Sequence, residues 1–257
     1  MGKMGFLENY RICKHAYKNA FAVAREITAK KDRIIVNAIP NRRAIWNHEK
    51  AMLYAICKYY GQCGKNLDFF TFEDTKLPDC INFKYKYGQL MMCNLDSDPD
   101  FSDVFIFDRL SFLTGNNPDV LIISEDNGDS LLYAALNTSG KIYGINHNKN
   151  AVKNLNINEV DRRIKFINCE YSDGKNIKLS EIFEKYCNDA DYVYIDAKTC
   201  ENKFLSEEND SFEKIKRIAV KSYADPEVVK AKLEKYGFTA SITKNAHNKF
   251  SYIYGEK

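Results

Sequence analysis

From Val120 onward, short apolar runs alternate with helical patterns without interruption. "VLIIS" (120–124) is followed by "SLLYAALN" (130–137), "KIYGIN" (141–146) by "NAVKNLNIN" (150–158), and "RIKFINC" (163–169) by "LSEIFEKYC" (179–187). "DYVYID" (191–196) leads into a polar stretch, "AKTCENKFLSEENDS" (197–211), before "KRIAVKSY" (216–223), "PEVVKAKLEKYG" (226–237) and "FTASITKN" (238–245). Runs this apolar suit strands buried on both faces, and a helix between successive strands lets them lie parallel. The pattern therefore predicts a parallel sheet with helices on both sides. Only "AHN" (246–248) separates the last two strands, too short for a helical crossover, so they are expected as an antiparallel hairpin.

The front of the chain follows another plan. Tyr10, Cys13, Tyr17, Phe21 and Ala24 recur at helical spacing and predict one helix over residues 6–29. A short strand is expected over 33–39, ended by Pro40, then a helix over 45–60 stopped by Gly61 and Gly64. Three strand candidates follow at 67–72, 87–93 and 101–108, the last two separated by the turn-rich "NLDSDPD" (94–100). The expected organisation is a small N-terminal α/β unit, 1–117, and a second α/β domain, 118–257, introduced by "NNPD" (116–119).

Composition sets outer limits. The 257 residues are 45% hydrophobic and 28% charged, as in an ordinary globular protein, and the net charge of +3 gives no footing for nucleic acid, which is not expected as a partner. No apolar run approaches the length of a membrane span, the first residues lack the apolar core of an export signal, and Phe6 occupies the position where myristoylation needs Ser or Thr. The eight cysteines form no C-x-x-C pair and have no histidine at zinc-finger spacing. They are expected to be reduced core residues of a cytoplasmic protein, with no metal.

In open α/β sheets ligands bind beyond the carboxyl ends of the strands. Here those ends carry Ser124-Glu125-Asp126-Asn127-Gly128, then Asn146 and His147, Glu170 and Tyr171, and Asp196 with Lys198, Thr199 and Glu201 close behind. The first loop holds two acids and one glycine. A pyrophosphate needs bare N–H groups and no nearby anion, so this loop favours a ligand carrying positive charge. The same acids are also suited to capping the following helix, and the two uses are compatible.

The run of strands and helices, closed by an antiparallel strand, resembles the Rossmann-like S-adenosylmethionine (SAM)-dependent methyltransferases over about 120–257. The resemblance implies SAM as cofactor, held by Ser124, Glu125, Asp126, Asn127, Gly128, Asn146, His147, Glu170, Tyr171, Asp196 and Thr199. Of the family's G-x-G-x-G-like loop, whose positions fall on Ser124, Asp126 and Gly128, only Gly128 is kept. Asn146 stands where an acid usually holds the ribose, Glu170 where an acid meets the adenine amino group, and Asp196 beside the methyl donor. Catalysis is expected from Asp196, Lys198 and Glu201.

Length, richness in lysine and asparagine, the small front unit and the atypical loop are similar to the methanogen pyridinol methyltransferases of iron-guanylylpyridinol cofactor biosynthesis. That likeness implies methylation of a ring carbon of a small aromatic substrate by a homo-oligomer. The rival readings are an RNA methyltransferase, an NAD-type oxidoreductase, which the acidic loop disfavours, and a non-catalytic Rossmann-like binding protein.

Overall fold

The computed structural model describes residues 5–39, 42–61, 72–74, 80–85, 88–93, 102–106, 108–113, 115–244 and 250–257. Its contacts fall into two compact units, Met1–Asp108 and Arg109–Lys257.

The first unit opens with α1 (Phe6–Cys13) and α2 (Ala20–Thr28), where one helix was expected. Nothing in the sequence between them breaks a helix; tertiary hydrogen bonds do. Lys18 donates its backbone N–H to Asn37 O (2.8 Å) and Ala16 O accepts from Ile39 N (2.8 Å). The Asn19 side chain accepts from Asn37 N (2.9 Å) and donates to Ile35 O (2.8 Å). These bonds dock the inter-helix segment onto β1 (Ile34–Ala38). The helix expected from residue 45 is also displaced. Residues 42–46 form β2 (Arg42–Trp46), paired antiparallel with β1 from Ile34↔Trp46 to Ala38↔Arg42. α3 (His48–Gly61) then starts behind Asn47, whose carbonyl Oδ1 accepts from Lys50 N (2.8 Å). Ile12, Val23, Ile34, Val36 and Met52 share the core of these elements.

β3 (Phe72–Asp74), β4 (Cys80–Tyr85) and β5 (Gly88–Cys93) form an antiparallel sheet, and β5 matches the strand expected at 87–93. The strand expected at 101–108 is instead a π-helical turn over Ser102–Ile106. Its successive residues Asp103, Val104 and Phe105 are all buried, whereas a strand would alternate its side chains between two faces. Phe105 packs edge-on against Tyr85 with ring centroids 5.2 Å apart. The strand expected before Phe72, the turn at 94–100 and the "AHN" turn lie outside the described residues.

The second unit is built on a seven-stranded sheet ordered β11-β12-β10-β9-β6-β7-β8. Its strands are β6 (Val120–Ile123), β7 (Ile142–Ile145), β8 (Ile164–Phe166), β9 (Tyr192–Asp196), β10 (Arg217–Ser222), β11 (Thr239–Lys244) and β12 (Ser251–Glu256). All run parallel except β12, which is antiparallel to both β10 and β11. This is the Rossmann-like α/β sheet with an antiparallel C-terminal hairpin that the alternation predicts. Every residue of β6, β7 and β9 is buried, as strands covered on both faces require. The intervening helices are α4 (Asp129–Asn137), α5 (Lys149–Ile157), α6 (Leu179–Tyr186), α7 (Glu201–Ser206) and α8 (Pro226–Lys235). From β6 the chain builds outward to β7 and β8, then returns to the other side with β9. The topological switch point therefore lies between the carboxyl ends of β6 and β9. No helix among the described residues is long and apolar enough to cross a membrane.

Gly140, between α4 and β7, sits in a tightly packed turn. A Cβ there would lie 2.0 Å from Pro118 O and 2.8 Å from Asn117 O, both backbone atoms with little freedom to yield. Gly140→Ala should destabilise the second unit by about 1–3 kcal/mol, the usual cost of overpacking. A urea midpoint equal to that of wild type would show that the Pro118 turn gives way freely.

Candidate functional site

Between β6 and α4 the loop is held by its own side chains. Asp126 is buried; its Oδ1 accepts from Gly128 N (2.8 Å) and its Oδ2 from Ser130 N (3.2 Å). These N–H groups are the ones a pyrophosphate at this helix would need, and Asp126 already occupies them. Gly128 has φ 94°, and a Cβ on it would come within 3.0 Å of Ala151 Cα in α5. The one retained glycine thus serves both the left-handed turn and the close approach of a neighbouring helix. Ser124 is buried, with its Oγ 3.1 Å from that of Ser130. Glu125 is exposed.

Asparagines supply the remaining support. Asn146 donates from Nδ2 to Asp126 O (3.1 Å), Asp126 Oδ1 (3.3 Å) and Ser124 Oγ (3.3 Å), while its Oδ1 accepts from Asn148 N (2.8 Å). The amide expected to meet a ribose is therefore already at work clamping the loop. Asn127 Oδ1 accepts from Asn148 Nδ2 (3.0 Å) and its O from Asn154 Nδ2 (2.9 Å). His147 Nε2 lies 2.9 Å from Cys169 O, tying the end of β7 to the segment after β8.

Glu170 and Tyr171 part company. Glu170 is exposed, bonded to Ser172 Oγ (3.0 Å) and paired with Lys175 (2.8 Å); these contacts hold its carboxyl below the ordinary range, with Lys175 the leading cause. Tyr171 is buried and donates to Glu207 Oε1 (3.3 Å). Its hydroxyl titrates well above the usual phenol range, first through burial and then through the Glu207 charge. It packs in the core of the second unit.

Asp196 ends β9 and is buried. Its Oδ1 accepts from Lys198 N (3.2 Å), and its Oδ2 is 3.3 Å from Lys221 Nζ. Lys198 and Thr199 are exposed. Glu201 opens α7, and its Oε1 accepts from Ser222 Oγ and from Ala224 N (3.3 Å). Its Oε2 makes no hydrogen bond among the described residues. The buried Cys200 thiol reports on the surroundings. Burial raises its pKa most, and four carboxylates add to the rise: Asp196, Asp173, Glu201 and Glu125. The charges of acids that follow β6, β8 and β9 are thus all felt at this thiol.

Three residues at the end of β10 and its neighbour complete this rim and were missed in the sequence: Lys221, Tyr223 and Phe250. The signal was present in principle, since a lysine near the end of a central strand must find a partner if both faces are covered. Among the described residues no group of three or more His, Cys, Asp or Glu side chains is placed to hold a metal ion.

No protein-family model matches the chain, and no curated protein matches it. Solved structures show fold likeness at low identity. TrmK of M. capricolum, in complex with S-adenosyl-homocysteine (SAH), is 17% identical, with 58% of this chain and 66% of that chain covered and a TM-score of 0.45. TYW2 of M. jannaschii, in complex with AdoMet, is 18% identical over 73% of this chain and 85% of that chain, TM-score 0.42. A precorrin-6y C5,15-methyltransferase of Geobacter metallireducens is 17% identical over 58% and 86%, TM-score 0.41. These values fix no residue correspondence.

Proposed function

We propose that the chain is a SAM-dependent methyltransferase acting on a ring carbon of a small aromatic acceptor, a pyridinol of the kind built into the iron-guanylylpyridinol cofactor, and that it works as a homo-oligomer. One observation carries the reading. Asp126 takes the Gly128 and Ser130 amides at the start of α4, while Glu125, Asp196 and Glu201 lie in or just after the carboxyl ends of β6 and β9. Such a rim repels a dinucleotide and suits a ligand with a sulfonium and an ammonium. Bound there, SAM supplies an electrophilic methyl group.

The chain's own residues supply the rest. Glu201 is held by Ser222 and Ala224 through Oε1, which leaves Oε2 to take the hydroxyl proton of a pyridinol, directly or through a water. The exposed Lys198 ammonium stabilises the ring anion so formed. SAM held there would give its methyl to the ring carbon, the carbon–sulfur electron pair staying on sulfur, and the ring carbon would lose its hydrogen as a proton to solvent. Positioning of the two reactants accounts for much of the rate.

Calorimetric titration with SAH should show saturable binding, and titration with NADH none. Binding of NADH with no heat from SAH would overturn the reading. Label from SAM appearing on RNA, with none on any pyridinol, would keep the cofactor and replace the acceptor.

A further inference from the structure

The two ends of the seven-stranded sheet are finished differently. β8 closes one end with only three residues; Lys165 lies within it, and Arg162 and Arg163 come just before it. Shortness and charge are how native sheets blunt an edge, because unpaired N–H and C=O groups invite another strand. β11 closes the other end with six residues and lacks such protection. From Thr239 to Thr243 it contains no charged residue, proline or glycine. Its pairing with β12 runs without a bulge from Thr239↔Glu256 to Lys244↔Ser251. Thr239 and Ser241 are exposed, while Ala240 and Ile242 pack against the core that Val229 and Leu233 of α8 help to form.

We propose that β11 is the subunit interface, joined antiparallel by β11 of a second copy so that one sheet runs through both protomers. The inference rests on the homo-oligomer of the reading above and adds where the copies meet. The strand is self-complementary about Ser241. A two-fold axis through that residue, perpendicular to the sheet, sets Ser241 opposite Ser241, Ala240 opposite Ile242 and Thr239 opposite Thr243. Core-facing residues then meet core-facing ones, and no like charges oppose each other. α8 favours a second copy over a foreign strand. It lies over β11 and β12 at this end of the sheet, with the acid Glu227 in its first turn and Lys235 in its last, both exposed. The same axis turns a second α8 antiparallel to the first. The acidic turn of each copy then faces the basic turn of the other, and the exposed Val228 adds apolar surface.

The test is sedimentation of the full chain over a range of concentrations. Wild type should sediment as a dimer or a multiple of one. Ser241→Lys sets two ammonium groups face to face at the axis and should weaken the dimer by about tenfold or more. Ser241→Glu should do the same by itself. An equimolar mixture of the two variants should recover the dimer, since Lys then opposes Glu. Hydrogen exchange locates the contact: β11 amides should exchange more slowly in the wild-type dimer than in Ser241→Lys, with β8 amides equal in both. A dimer that survives both substitutions, a mixture no better associated than its components, or equal β11 exchange overturns the edge and leaves a homo-oligomer formed elsewhere. If neither Ser241 variant folds, Glu227→Lys decides: a weakened dimer supports the interface and unchanged association sinks it. Wild type that stays monomeric throughout fails the homo-oligomer itself, and this interface with it, whether or not SAH binds.

Discussion

Glu201→Gln should slow methyl transfer from labelled SAM to a synthetic carboxymethyl-pyridinol by about 10²–10⁴ in single turnover, the range for losing a proton-transfer group. Glutamine keeps an oxygen for the Ser222 and Ala224 bonds, so the anchor of α7 survives while the base is lost. SAH affinity should therefore stay near wild type. Lys198→Ala, which removes a screening charge and no proton acceptor, should cost less. A Glu201→Gln enzyme with wild-type turnover would move the proton to solvent or to another group, and the acceptor chemistry would need a different base.

Glu207→Ala should be among the most destabilising single changes in the second unit, by about 3–5 kcal/mol, the cost of removing one partner from a buried charged cluster. The Glu207 carboxylate is fully buried and joins four elements. Its Oε1 accepts from Leu179 N at the start of α6 (3.0 Å) and from Tyr171 (3.3 Å), and lies 3.4 Å from Lys203 Nζ. Its Oε2 accepts from Ser211 (2.5 Å). Alanine strands all of these groups in the core at once. The melting temperature should fall by about 6–20 °C for a unit of this size. The neighbouring Glu208→Ala breaks only an exposed pair with Lys178 and should shift it little. Equal melting temperatures for the two variants would contradict the buried network.

How much of this was legible beforehand depended on the period of the pattern. From Val120 onward each strand is a continuous apolar run and each crossover has helical spacing, so local preference and tertiary structure agree. In the front unit they compete. Residues 14–19 look helical, yet their amides and the Asn19 side chain bond to β1, and no glycine or proline marks the change. Residues 45 and 46 look like a helix start until the register with β1 is known. In the candidate site the acids and the single glycine could be read from spacing, because strand ends are easy to locate. The engagement of Asn146 within the loop, the burial of Tyr171 and the pairing of Lys221 with Asp196 could not. Each depends on which strand lies beside which, and that ordering is absent from a linear pattern.

The placement of β12 also bears on how the chain matures. It comes last among the strands yet lies in the interior of the sheet, hydrogen-bonded to β10 on one side and β11 on the other. As the polypeptide emerges from the ribosome, β10 has an open edge and β11 has no place in the sheet until β12 is available to join them. A kinetic consequence follows: docking of α8 and β11 should be the late, cooperative event of folding. Pulse-labelled hydrogen exchange during refolding should show amides of β6, β7 and β9 protected first, and those of β10, β11 and β12 gaining protection together afterwards.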